Sequence, residues 1–316
     1  MSDATNADAQ AVDRATFVGG SDVAAILGVS PWRTPLDIWR EKTRRTPRVE
    51  ITEAQQKRFD RGHRLEPFVV DMLIDRLKDE GHTVELLCRN ARYVDQQYPF
   101  MQCEIDFELM LDGTHTTGDA KTVHPFAAKQ WGQEQTDEVP TYYGLQFMHG
   151  LGITGRSRCI VAALVGMDDL LVYWVERDEE TIAAIRGRVS QFWNECVLAD
   201  VEPDPIDFDD CYAMYQQSNG GRIEATSNIR DAVFELADVK HKLKILTDRE
   251  DDLKYCIAEY MRPNAYLTAG GHDLATWKNQ PFLWLDEKAF AKDFPELYAR
   301  YRRTKQIRVL RLKIRS

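Results

Sequence analysis

The sequence lacks paired cysteines, a long apolar run and a basic leader. Its six cysteines are scattered over 316 residues and form no CxxC pair, so neither a zinc site nor an iron–sulfur cluster is expected. Reduced thiols, as in an intracellular protein, fit this pattern. No stretch of about 18 apolar residues is present, so no membrane span is expected. The polar, acidic start lacks the order of a signal peptide, which favours a cytoplasmic protein.

The net charge of −10 is unevenly distributed along the chain. Residues 165–210 contain thirteen acids and three bases, which accounts for the whole net charge. Residues 29–64 contain ten Arg or Lys against five Asp or Glu, and residues 300–316 contain eight bases and no acid. Local basic patches, rather than the average charge, bind phosphates. A solvated surface explains each patch equally well, so the charges alone leave nucleic-acid binding open.

Hydrophobic patterning and turn residues predict the order of the elements. We expect helices over 63–81, 140–151 and 178–198, a charged connection or helix over 44–61, and strands near 84–94, 101–111, 117–123, 157–165 and 170–176. The proline- and acid-rich segment "ADVEPDPIDFDD" indicates a domain boundary. We therefore predict a disordered segment 1–13, a core domain 14–200, a linker 201–227 and an extension 228–316.

The extension should contain one long helix and a small β-rich end. Residues 228–261 carry apolar residues at heptad spacing, which calls for a partner, either a second helix or another subunit. "GGHDLATWKN" and "IRVLRLKI" are predicted as strands. The basic end of the chain is either a DNA contact or an exposed sheet edge.

The segment "GGSDVAAILG" (19–28) predicts a glycine turn, an N-cap at Ser21 and a short helix that ends at Gly28. "TPLDIWREKT" (34–43) repeats this order, with Thr34 as the cap and Pro35 in the first turn. The amides at the start of the first helix would form an anion site, or Ser21 is simply a cap.

A predicted hairpin concentrates acids on one face. "MQCEIDFELML" (101–111) alternates acidic and apolar residues, and the following Asp112–Gly113 indicates a two-residue turn. That turn places Asp106 opposite Asp119 and Glu104 opposite Lys121. Opposed carboxylates lie about 5 Å apart at Cβ and repel, which a proton or a divalent cation such as Mg²⁺ would relieve. The alternative is a solvated face of mixed charge, and a three-residue turn would break the arrangement.

Two further polar residues accompany this hairpin. Glu66 is either an acid in the first turn of its helix, where it favours the helix dipole, or a partly buried carboxylate aimed at a site. Gln146 follows Tyr142 and Tyr143 by one helical turn, and taken locally it is an ordinary polar residue.

Together these segments resemble the YqaJ-type viral recombinases, relatives of phage lambda exonuclease in the PD-(D/E)xK nuclease superfamily. The matching segments are "VGGSDVAAILGVSPWRTPLDIWREKT", "RGHRLEPFVVDML", "CEIDFEL", "GDAKTV" and "VPTYYGLQFMHGLGITG", which span about residues 14–200. The resemblance implies an α/β fold with a PD-(D/E)xK restriction-endonuclease-like core, in which helices flank a central mixed β-sheet, followed by an α+β extension.

The resemblance also implies the roles of individual residues. Asp106 and Asp119 would hold Mg²⁺ with the backbone carbonyl of Ala120, and Glu66 would complete the shell, in part through water. Lys121 would orient or activate the attacking water. Gln146 would contact the site, and Arg14 and Ser21 would bind the 5′-phosphate of DNA. The family usually has Glu at the position of Asp119, and the shorter side chain could change the metal distance.

The implied activity is a phage-type, Mg²⁺-dependent 5′→3′ exonuclease on double-stranded DNA ends, with Mn²⁺ able to substitute. It would leave 3′ overhangs for a phage-type single-strand annealing protein, and a homo-oligomeric ring is compatible with it. The alternatives are an endonuclease or Cas4-like nuclease on the same fold, or an inactive DNA-binding or assembly protein.

Overall fold

The computed structural model describes residues 13–45, 51–304 and 306–313. The chain forms two compact units, and the boundary between them falls between Met214 and Tyr215. This boundary lies inside the predicted linker 201–227. The predicted disordered segment lies outside the described residues except for Asp13. Every predicted site residue belongs to the first unit.

A five-stranded sheet forms the centre of the first unit. Its strands lie in chain order, and only β3 and β4 are parallel neighbours among those described. The strand bounds are Val84–Val94 (β1), Gln102–Leu111 (β2), Thr114–Val123 (β3), Arg158–Val165 (β4) and Asp169–Glu176 (β5). The apolar run of β4 is buried on both faces, as expected for an interior strand covered by helices.

Helices cover both faces of this sheet. Their bounds are Gly20–Ile26 (α1), Pro35–Lys42 (α2), Glu53–Asp79 (α3), Thr141–Thr154 (α4), Glu179–Phe192 (α5) and Phe208–Met214 (α6). Short 3₁₀ helices span Arg14–Thr16 and Pro125–Gln130, and a π-helical turn spans Trp193–Leu198. The predicted α/β fold with a central mixed sheet flanked by helices is confirmed.

The alternation along β4 shows which helix covers which face. Ile160 and Ala162 pack with Leu73 of α3, whereas Val161 and Ala163 pack in a separate cluster with Leu151 of α4. Successive strand residues point to opposite faces. Helix α3 therefore covers one face of the sheet, and α4 covers the other.

The β2–β3 hairpin has the predicted two-residue turn. Asp112 and Gly113 have φ values of 49° and 78°, the left-handed conformation that a type I′ turn requires. Leu111 pairs with Thr114, and the ladder continues in the predicted register to Phe107 and Gly118.

The ladder ends at that pair, one step before the predicted opposition of Asp106 and Asp119. The Asp106 Oδ2 accepts a hydrogen bond of 2.8 Å from the amide of Ala120, a donor that the continued ladder would otherwise use. Glu104 instead forms an ion pair of 3.3 Å with Arg92 of β1. The predicted cross-strand pairs of Asp106 with Asp119 and of Glu104 with Lys121 are therefore absent from the described ladder.

Two helix starts differ from the prediction. Helix α3 begins at Glu53, where Thr52 and Gln55 form a capping box, so it absorbs much of the predicted connection. The N-cap of α1 is Gly19, and the predicted cap at Ser21 is wrong. The side chain of Asp22 accepts a hydrogen bond of 3.1 Å from the Gly19 amide, which moves the helix start ahead of Ser21.

Helix α2 begins as predicted. Thr34 is its N-cap, with Pro35 at the first helical position.

The second unit contains one long helix and a small hairpin. Its elements are Ser227–Met261 (α7), Tyr266–Ala269 (β6), His272–Thr276 (β7), Glu287–Asp293 (α8) and Pro295–Tyr301 (α9). The predicted strand "IRVLRLKI" is wrong, since residues 306–313 adopt no regular structure. Its alternating pattern defines a face, but a strand also needs a paired neighbour.

Within the described residues, no helix combines the length and apolarity needed to cross a membrane.

Candidate active site

Asp119 and Lys121 of β3 lie together on the sheet face that α4 covers. Ala120, which lies between them in the sequence, packs with Leu73 of α3 on the opposite face. The Lys121 Nζ forms an ion pair with Asp119 Oδ1, and the two side chains are 18% and 7% exposed. The ammonium lies 5.2 Å from the ring centroid of Tyr143 and 5.8 Å from that of Phe147. The rings of Tyr143 and Phe147 therefore shield part of this ion pair from bulk water.

Asp106 joins the pair from β2. Its hydrogen bond to the Ala120 amide fixes the carboxylate beside the segment that carries Asp119 and Lys121. The negative charge of Asp106 raises the pKa of both neighbours. The structure thus brings together three of the predicted site residues, through a side-chain contact rather than through the ladder.

The electrostatics of the cluster favour a cation. Burial raises the pKa of Asp119, the charge of Lys121 offsets part of this, and Asp106 and Glu66 raise the pKa further. Burial lowers the pKa of Lys121, but the charges of Asp119 and Asp106 outweigh it and hold that pKa above its ordinary value. Because the charge of Asp106 opposes the ionisation of Asp119 and Glu66, added positive charge at this site is stabilising.

Gln146 of α4 also reaches this cluster. Its Nε2 donates a hydrogen bond of 3.2 Å to Asp119 Oδ2. Helix α1 packs directly against it, because a Cβ placed on Gly20 would lie 3.0 Å from Gln146 Cγ. The absence of a side chain at Gly20 therefore helps to hold the Gln146 amide against Asp119.

Glu66 approaches the site from α3. It lines an open cleft together with Asp106, and its Oε1 lies 3.0 Å from Nδ1 of His63. Burial and the charge of Asp106 raise its pKa. The first-turn interpretation of Glu66 is wrong because α3 begins at Glu53, several turns earlier. Glu66 is the partly buried carboxylate of the alternative interpretation.

The donor set suits Mg²⁺ in part. Asp106, Asp119 and the Ala120 carbonyl supply hard oxygen atoms, and buried Asp119 Oδ1 is held by the Lys121 ammonium. Among the described residues, no three His, Cys, Asp or Glu side chains converge closely enough to enclose an ion. Mg²⁺ usually keeps several waters and takes one or two carboxylates. The residues therefore fit a hydrated Mg²⁺ and not a closed protein cage.

A second group of charges surrounds Asp22, which is completely buried. Its carboxylate contacts three cations, at 3.0 Å for Arg14, 3.3 Å for Arg33 and 2.8 Å for Lys42. Glu41 contacts the same three cations. We call these five residues the basic cluster, because its three cations exceed its two carboxylates. Burial raises the pKa of Asp22, but the three cations outweigh it and lower that pKa.

The predicted phosphate-binding pair lies at the edge of the basic cluster. The Arg14 Nη2 donates a hydrogen bond of 3.1 Å to Ser21 Oγ, and the Arg14 side chain is 48% exposed. Ser21 follows Gly20, which contacts Gln146, so the pair adjoins the carboxylate site. Binding of phosphate by Arg14 and Ser21 remains a prediction. Asp22 is not among the predicted site residues, although its place at the third position of α1 marks it as a capping residue.

Residues 11–157 match the family model of the YqaJ-like viral recombinase domain. This range contains all the predicted site residues, from Arg14 to Gln146. The resemblance inferred from the five sequence segments is confirmed.

Three known proteins are similar to this chain. "Uncharacterized protein YqaJ" of Bacillus subtilis (strain 168) is 26% identical over 305 residues, which cover 94% of this chain and 91% of that protein. The alkaline exonuclease LHK-Exo of Laribacter hongkongensis superposes with a TM-score of 0.44 and 20% identity, over 60% of this chain and 91% of that one. A phage-related exonuclease from Haemophilus somnus superposes with a TM-score of 0.40 and 15% identity, over 58% and 96%.

Proposed function

We propose that this protein is a Mg²⁺-dependent deoxyribonuclease that degrades double-stranded DNA from its 5′ ends and leaves 3′ overhangs. The observation that carries the proposal is the partly buried cluster of Asp106, Asp119, Lys121 and Gln146, which lies inside the part of the chain that matches the YqaJ-like viral recombinase domain.

Each residue has a defined task in this hydrolysis. Mg²⁺ held at this site would polarise the scissile phosphate and lower the pKa of a water molecule. Asp106, Asp119 and the Ala120 carbonyl would hold the ion, and Glu66 would hold one of its waters. The Lys121 ammonium, fixed by Asp119, orients the attacking water.

The position of Gln146 supports this assignment. Its amide anchors the second oxygen of Asp119, so the carboxylate cannot rotate away from the ion pair.

The basic cluster supports action from a 5′ end. Its surplus positive charge and the half-exposed guanidinium of Arg14 suit the phosphate that terminates a DNA strand. The Ser21 hydroxyl, already bonded to Arg14, can donate to the same phosphate. A terminal phosphate held there would set the distance from the end to the carboxylate site and would favour stepwise removal of nucleotides.

The proposal extends to conditions and partners. Mn²⁺ would substitute for Mg²⁺, and the reaction would take place in the cytoplasm of a bacterial host. A phage-type single-strand annealing protein would use the overhangs. A homo-oligomeric ring is the proposed assembly, supported by heptad residues exposed along α7, among them Leu243, Leu246, Leu253 and Ile257.

Digestion of linear plasmid tests the proposal. We expect progressive loss from 5′-phosphorylated ends in Mg²⁺, slower loss from 5′-hydroxyl ends, and none in EDTA. Nicking of closed circles would favour the endonuclease. Absence of hydrolysis in every divalent metal would favour the inactive binding protein.

Lys121→Ala provides the matching test of mechanism. We expect turnover to fall by at least about 100-fold, because the variant loses the charge that orients the water. DNA binding, measured by fluorescence anisotropy, should persist. Unchanged turnover in this variant would contradict the assigned role.

A further inference from the structure

Trp32 is an exposed aromatic residue in the loop between α1 and α2. Its exposed fraction is 62%, whereas Trp39 in the neighbouring helix is 2% exposed. The ring meets Tyr142 edge-on at a centroid distance of 4.7 Å and lies 6.3 Å from the ring of Tyr143. One edge of the indole is thus supported by α4, and most of its surface faces solvent.

The backbone around Trp32 is braced. The amides of Trp32 and Arg33 both donate to Ser30 Oγ, at 3.2 and 3.3 Å. The Arg33 guanidinium is bound on both sides, to Asp22 at 3.3 Å and to Glu41 at 2.6 Å. The exposed ring therefore projects from a fixed support, which lowers the entropy cost of using it as a contact.

The position of this ring connects the two parts of the site. Arg33 belongs to the basic cluster, so the residue next to Trp32 lies among the cations proposed to bind phosphate. On its other side, Trp32 contacts Tyr143, whose ring lies 5.2 Å from the Lys121 ammonium. A DNA strand that reaches from the basic cluster to Lys121 passes beside the indole.

We propose that Trp32 stacks on a base of the DNA strand adjacent to the scissile phosphate. The inference rests on the proposed function and deepens it, because it names a residue that holds the strand end by its base. Stacking suits an enzyme that meets any sequence, since every base offers a π-face to an aromatic ring. Trp32 is in this view a positioning residue for the substrate and takes no part in proton transfer.

Abasic substrates test this contact directly. We compare duplexes that lack one base at successive positions from the 5′ end, with wild type and with Trp32→Ala. For wild type, kcat/KM should fall about tenfold when the stacked base is missing. Trp32→Ala should be about tenfold slower on intact DNA and indifferent to loss of that same base. Trp32→Phe should restore part of the sensitivity.

Trp284→Ala is the control, because Trp284 is 69% exposed and lies in the second unit. It should keep the wild-type sensitivity to the missing base. A Trp32→Ala variant that stays as sensitive as wild type overturns the inference, even if it is slower overall.

A DNA-binding assay distinguishes failure of this inference from failure of the proposed function. The same comparison is repeated by anisotropy in Ca²⁺ in place of Mg²⁺. If no DNA is hydrolysed in Mg²⁺, the proposed function fails, and the binding comparison still decides the contact. A loss of affinity at one missing base that wild type shows and Trp32→Ala lacks supports stacking, and an equal loss for both proteins at every position overturns it.

Discussion

At the scale of single residues, Gly20 controls the carboxylate site without touching substrate. A Cβ at this position would lie 3.0 Å from Gln146 Cγ, so Gly20→Ala should displace the Gln146 amide from Asp119. A small misplacement of catalytic groups is costly, and we expect kcat to fall about 10- to 100-fold with little change in melting temperature. Steady-state exonuclease assays and thermal denaturation measure the two effects.

Gly144→Ala is the matched control for this substitution. Its added Cβ would make an ordinary contact of 3.7 Å with Val139 Cγ2, and it lies on the same helix as Gln146. Activity should stay at the wild-type level, while the unfolding free energy should rise by about 0.5–1 kcal/mol, because alanine favours the helix. Equal activity of the two variants would contradict the proposed packing of Gly20 on Gln146.

At the scale of elements, local turn chemistry decided what could be predicted. The Asp112–Gly113 turn sets the hairpin register because a type I′ turn requires positive φ at both positions. The end of the ladder at Phe107 could not be predicted, because it depends on a side chain, Asp106, taking a backbone amide. The start of α1 likewise depends on Asp22, which also serves a tertiary cluster of cations.

The role of Glu66 depended on an element boundary. The helix that carries Glu66 begins at Glu53, upstream of the apolar pattern that marked the predicted start. Residues 53–62 are mostly polar and carry little hydrophobic periodicity, so the pattern could not show that Glu66 lies well inside the helix. The candidate carboxylates were therefore identified by type and order, and their geometry came from tertiary contacts.

The hairpin turn provides a prediction at the same scale. Gly113 has a φ of 78°, and nothing lies within 4 Å of an added Cβ, so Gly113→Ala adds backbone strain without a clash. We expect the unfolding free energy to fall by about 1 kcal/mol. The register and hence kcat should be retained at temperatures where the variant is folded. Urea denaturation and activity assays test this.

Gly187→Ala in α5 is the control for that variant. It also has open space around the added Cβ, but its backbone is helical, so stability should rise rather than fall. A Gly113→Ala protein that is folded but has lost activity would show that the turn does more than set the register.

At the scale of the whole molecule, the burial of charge at one site should appear as metal-dependent stability. Burial and the charge of Asp106 oppose the ionisation of Asp119 inside the fold, so a bound divalent cation should stabilise the native state relative to the unfolded chain. A ligand at 100 times its Kd adds about 2.7 kcal/mol to the unfolding free energy. We therefore expect the melting temperature to rise by several degrees in millimolar Mg²⁺ compared with EDTA at matched ionic strength.

Variants identify the site responsible for that rise. Asp119→Asn and Asp106→Asn should lose the Mg²⁺-dependent shift, because each removes one of the two charges that attract the ion. Asp168→Asn, an exposed acid in the turn after β4, should keep it. A shift that survives in both site variants would show that the ion binds elsewhere. The stabilisation would then be a general response to divalent salt and would not support the chemistry proposed at Asp119 and Lys121.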